Sequence, residues 1–117
     1  MAGKQDCVFC RIIAGEIPAN LVYNDEDIIA FHDIQPVAPV HIVVIPKRHI
    51  ASLAQTMPED TQLLGRILAV VRRIADEQGL ATDGYRLVVN CGKQAGQSVP
   101  HLHFHILGGR DLGWPPG

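Results

Sequence analysis

The chain has 117 residues, 47% hydrophobic and 19% charged, which suits one globular domain with a core of its own. A formal net charge of −2 lacks the basic excess of a phosphate-backbone binder, so nucleic acid is not an expected partner. No apolar run reaches the roughly 20 residues of a membrane span; with a polar start and three cysteines, the expectation is a reducing, cytoplasmic setting without membrane association.

In chain order, Leu21-Val22-Tyr23 and Ile28-Ile29-Ala30-Phe31 are β-rich runs around the turn formers Asn24-Asp25-Glu26-Asp27, predicting a hairpin over 21–33. Pro36 and Pro39 interrupt the chain before His41–Ile45, a further strand that Pro46 ends. Thr56 with Glu59 fits a capping box, and Glu59 and Asp60 suit the positive end of a helix. Its buried face is predicted from Leu63, Leu64, Ile67, Leu68, Val71, Ile74 and Ala75, with Gly79 as the stop. Tyr85–Asn90 reads as a strand, Gly92–Gln97 as a loop, and the tail with Trp114-Pro115-Pro116 fits neither period. Strands before and after one long helix, with short connections, predict an α+β fold on an antiparallel sheet.

Half of the six histidines fall in His101-Leu102-His103-Phe104-His105-Ile106-Leu107. Alternation with large apolar residues is the period of a strand, so the three rings share one face, and Leu102, Phe104 and Ile106 lock the other into the core. Same-face neighbours on a strand are about 6.6 Å apart, so the outer pair is too distant for all three rings to hold one ion at about 2.1 Å. Solvated or hydrogen-bonded histidines are the plain alternative. Covalent catalysis by a neutral imidazole at phosphorus, with the central His103 as nucleophile, accounts for the array better. Gly96-Gln97-Ser98-Val99 leads into the segment and offers N–H groups and a hydroxyl to an anion, or forms an ordinary turn.

Gly96-Gln97-Ser98-Val99-Pro100-His101-Leu102-His103-Phe104-His105-Ile106-Leu107-Gly108-Gly109-Arg110 resembles the signature of the histidine-triad (HIT) superfamily, and within it the Hint branch of nucleotide-binding proteins. Phe31–Ile34, Ala38–His41, Ile45–His49, Gly84–Asn90 and Trp114–Gly117 match the same pattern in order. The resemblance implies an α+β fold with a five-stranded antiparallel sheet, one long helix and a short one, assembled as a two-fold homodimer. One HIT domain would span 1–117, with an N-terminal arm over 1–6 and a tail over 108–117. It implies a hydrolase that cleaves the P–N bond of purine nucleoside 5′-phosphoramidates through a nucleotidyl-histidine intermediate. A dinucleoside polyphosphate hydrolase, as in the Fhit branch, or a non-catalytic nucleotide-binding module are the alternatives. Only Lys47, Arg48 and Lys93 stand near the proposed site, few cations for a long polyphosphate.

By matching position, His103 would be the nucleophile and His105 would contact the phosphate and the leaving atom. His101 and His41 would support the nucleophile's tautomer and a proton relay. Asn90, Gln97, Ser98 and Val99 would hold the phosphate, and Asp33 the ribose hydroxyls. Val8, Phe9, Ile12, Ile17, Phe31, His32, Ile34 and Val43 would line the base pocket. Plain core positions for these residues, and a turn-forming role for Asp33, are the competing readings. Cys7-x-x-Cys10 can supply two thiolates to zinc. His49 and His101 match the other two ligands of zinc-binding members of the superfamily, which implies a structural zinc that the chemistry itself does not require. Free thiols are the alternative, and Cys91 has no assigned role.

Overall fold

The computed structural model describes residues 7–117, so the predicted arm Met1–Asp6 lies outside the described residues. Helix α1 (Val8–Ile13) comes first, followed by β1 (Leu21–Asn24), β2 (Ile28–His32) and β3 (Val40–Pro46). Helix α2 (Thr61–Glu77), β4 (Tyr85–Val88) and β5 (Phe104–Gly108) complete the order. The five strands form one antiparallel sheet in the order β1-β2-β3-β5-β4, as expected for an α+β fold.

The middle strands are apolar without alternation because both of their faces are covered. Ile28, Ala30, Ile42, Val44, Leu102, Phe104 and Ile106 pack in one core with Ile67, Val70, Val71, Ile74 and Ala75 of α2. Ile29, Phe31, Val43 and Ile45, one residue out of phase, join Cys7 and Phe9 in a second, smaller core under α1. The sheet therefore separates a structural side from the side that carries the site.

Three expectations need correction. Helix α2 starts at Thr61, because Pro58–Asp60 forms a 3-10 turn ahead of it. The Asp60 carboxylate accepts the Met57 N–H at 2.7 Å, while the Thr56 hydroxyl donates back to the Leu53 carbonyl; the Thr56–Glu59 box does not form. Leu68 is half exposed, and Val70 takes its place on the buried face. The regular strand begins only at Phe104, so His101 and His103 precede it. Continued pairing would set Leu102 against Pro46, which has no N–H; Leu102 instead donates to the Ile50 carbonyl and His101 to the Val99 carbonyl. The alternation of side chains persists through this irregular stretch: Leu102 stays in the α2 core.

Candidate active site

The geometry of His103 depends on backbone as much as on side chains. His103 is buried, and its Nδ1 lies 2.7 Å from the carbonyl oxygen of His101, an obligate acceptor. Nδ1 therefore carries the proton, and in a neutral ring Nε2 keeps its lone pair. The group of His101 that meets His103 is its main-chain carbonyl, while the His101 ring is turned toward the Pro46 carbonyl. Phe9 of α1 packs edge-on against His103, with ring centroids 5.1 Å apart.

A second hydrogen-bonded chain runs beside it. Val43 pairs with His105 across β3 and β5, so His41, two residues back on the same face, reaches His105 diagonally. The N–H of Val37 donates to His41 Nδ1 at 3.1 Å, which leaves the proton of a neutral His41 on Nε2. That Nε2 lies 2.9 Å from His105 Nδ1 and 3.4 Å from an Asp33 carboxylate oxygen. His105 thus accepts at Nδ1, carries its own proton on Nε2, and sits with its centroid 5.0 Å from that of His103. Burial pushes the His105 pKa down to about 4, with the neighbouring His103 and His41 adding to the shift and Asp33 opposing it. Burial likewise lowers His41, against the attraction of Asp33. Neutral rings are what the hydrogen bonds require.

Beyond these rings opens a pocket of about 300 Å³, within the usual range for small-molecule sites. Val8, Phe9, Ile12, Ile17, Phe31, His32, Asp33, Ile34 and Val43 all line it, as do Ser98, Val99, His103 and His105. Among the described residues no lysine or arginine does. Asp33 also forms the predicted turn, accepting the Gln35 N–H at 2.8 Å, so its two readings are compatible. Ile34 is 92% exposed and is the weakest candidate for a base contact. Pro18, Ala19 and Gln35 line the pocket without having been anticipated.

Asn90 and Gln97 are not among the lining residues. The Gln97 amide donates to the carbonyls of Ala51 and Val99 and accepts from the Gly92 N–H. It braces the loop that carries Ser98 and Val99, and its polar atoms are engaged within the protein.

Among the described residues two clusters bring possible metal ligands within 4.8 Å of one another, Cys7-Cys10-His49-His101 and Asp33-His41-His105. Tautomers distinguish them. His101 Nε2 lies 2.8 Å from the Pro46 carbonyl, so the proton is there and Nδ1 is bare. That Nδ1 is 3.3 Å from Cys7 Sγ, 3.5 Å from Cys10 Sγ and 3.2 Å from His49 Nδ1. Such separations suit a tetrahedron with bonds of about 2.1–2.3 Å. Burial lowers the His101 pKa to about 4, against the pull of the Pro46 carbonyl, which also keeps the ring available as a ligand. In the other cluster His41 Nε2 carries a proton and cannot ligate without giving up the Val37 hydrogen bond. It reads as a proton chain.

A family model described as HIT domain matches residues 14–112. The chain belongs to the HIT family. An uncharacterized HIT-like protein of Synechococcus elongatus is 53% identical over 114 residues, covering 97% of this chain and 99% of the relative. A HIT family hydrolase from Legionella pneumophila superposes with a TM-score of 0.93 at 49% identity, covering 95% of this chain and 99% of that one. A histidine triad nucleotide-binding protein from Candida albicans gives a TM-score of 0.80 at 37% identity, over 93% of this chain and 82% of that one. Hydrolase chemistry of the HIT type is thus supported at the coarse level, on the sheet and helices this family shares. No described helix is long and apolar enough to cross a membrane.

Proposed function

We propose that this HIT protein is a nucleotide hydrolase of the Hint type, cleaving the P–N bond of purine nucleoside 5′-phosphoramidates. One observation carries the reading: the His101 carbonyl fixes the proton of His103 on Nδ1, which leaves a bare Nε2 at the wall of an apolar pocket. The base would lie among Phe9, Ile12, Phe31 and Val43, with the ribose on Asp33 and the phosphate at Ser98, the Val99 N–H, His103 and His105. His103 Nε2 attacks phosphorus, and the P–N electron pair departs on nitrogen, which is protonated from the His105 side. Water then displaces His103, its oxygen bonding to phosphorus and one of its protons returning to the His105 side, and the nucleotide is released. Ser98 and the Val99 N–H, at two residues that line the pocket, would stabilise the charge on the phosphoryl oxygens.

Among the described residues no lysine or arginine lines the pocket, which favours a single phosphate over a polyphosphate chain that would call for several cations. Cys7, Cys10, His49 and His101 would hold a structural zinc that fastens α1, and with it Val8, Phe9 and Ile12, to the wall of the pocket. In this reading the protein works in the cytoplasm as a homodimer. Edge strand β4, with Tyr85 and Leu87 exposed, offers a face for pairing. Turnover of adenosine 5′-phosphoramidate against diadenosine polyphosphates tests the assignment. Preference for the phosphoramidate is expected, and preference for the polyphosphates overturns it.

A further inference from the structure

The Gly108-Gly109-Arg110 exit from β5 has no part in the chemistry above, yet it packs against the loop that controls His41. That loop, residues 33–39 between β2 and β3, is closed at its base by the Asp33 N–H on the His41 carbonyl at 2.9 Å. Asp33, Ile34 and Gln35 line the pocket, and Val37 is the residue of the loop whose N–H donates to His41 Nδ1. Val37 is 58% exposed, so packing alone does not hold it in place.

Arg110 holds its other side. Nη2 donates to the Val37 carbonyl at 3.0 Å, and Nη1 donates to the Asp111 carbonyl at 2.9 Å. Among the described residues Arg110 makes no ion pair, so the guanidinium is committed to these two carbonyls. The approach depends on Gly109, which has φ +91° and stands where an added Cβ would meet Pro39 Cβ at 2.8 Å. A side chain there would push β5's exit away from the loop and take Arg110 with it.

We propose that Arg110 is a positioning residue for the reaction: it holds Val37, and Val37 holds the tautomer in which His41 donates to His105. With Val37 released, His41 Nδ1 loses its fixed donor and the proton can move there from Nε2. In that tautomer two bare nitrogens face each other across the His41–His105 contact, and the chain is broken. Arg110 acts entirely through Val37 and His41. The inference rests on the hydrolase reading for its kinetic consequence but not for its structural one.

The test follows the ring nitrogens of His41 by 15N NMR in the full chain, in which protonated and bare nitrogens are well separated. Wild type should show a bare Nδ1. Val37→Pro, which deletes the donor, sets the signature of complete loss. Arg110→Ala should move His41 toward that signature, and Arg110→Lys, which keeps one cationic donor, should largely restore it. In turnover of adenosine 5′-phosphoramidate, Arg110→Ala should lower kcat about fivefold and leave KM within about twofold. An Arg110→Ala protein with the wild-type His41 signature, or with KM raised and kcat untouched, overturns the proposal. Failure of every phosphoramidate assay would sink the hydrolase reading and leave the NMR result to decide this one.

Discussion

Acid should weaken this fold by a route that runs through His105. The folded protein holds that ring at about 4, against 6.5 for a free imidazole, so between those values the unfolded chain binds the extra proton. Stability is therefore full above pH 6.5 and is lost as pH falls toward 4. Taken whole, the shift is worth about 2 kcal/mol at pH 5, and partial exposure of the ring cuts that to about 1 kcal/mol. His41, lowered by burial, adds in the same direction. The assay is urea unfolding at a series of pH values, comparing wild type with His105→Gln. The amide removes the titration and can still accept from His41 Nε2. The wild-type midpoint should fall more steeply than the variant's between pH 6.5 and 5. Parallel curves, or a wild type that gains stability as pH falls, would refute the neutral-ring account.

Two other perturbations follow from the same geometry. If zinc sits at Cys7, Cys10, His49 and His101, a chelator removes a ligand that stabilises by about 4 kcal/mol when present at a thousand times its Kd. For 117 residues that is a drop of about 15 °C in Tm by calorimetry, and an unchanged Tm with no zinc in elemental analysis would remove the site. Phe9→Ala deletes a ring packed on His103, His101 and Phe31, so it should cost about 3 kcal/mol in denaturant unfolding and weaken AMP binding in calorimetric titration. Full AMP affinity in that variant would take Phe9 out of the base pocket.

The sequence was most legible where short-range signals and burial agreed. The hairpin of β1 and β2, the strand ended by Pro46 and the hydrophobic face of α2 all follow from local composition and periodicity. The helix start was misplaced because Thr56 spends its hydroxyl on Leu53, an alternative that spacing alone cannot rank. The histidine segment kept its predicted sidedness but not its strand, since Pro46 across the sheet ends the ladder. Candidate residues for the pocket could be named from the resemblance, and the structure gathers most of them around one cavity. What no pattern announces are the backbone partners. The His101 carbonyl on His103, the Val37 N–H on His41 and the Pro46 carbonyl on His101 set three tautomers, and main-chain groups leave no trace in residue identity. Gln97 is a related case: its side-chain chemistry suits an anion, and in the fold its amide is engaged by the Ala51 and Val99 carbonyls and the Gly92 N–H.

The most direct measurement concerns the bond proposed to form at position 103. Adenosine 5′-phosphoramidate mixed with the enzyme and quenched within a turnover should leave one adenylyl group, located by mass spectrometry on the peptide that contains His103. That adduct should be absent from His103→Ala, which should still bind AMP. An adduct on another residue, or full turnover by the variant, would contradict the account.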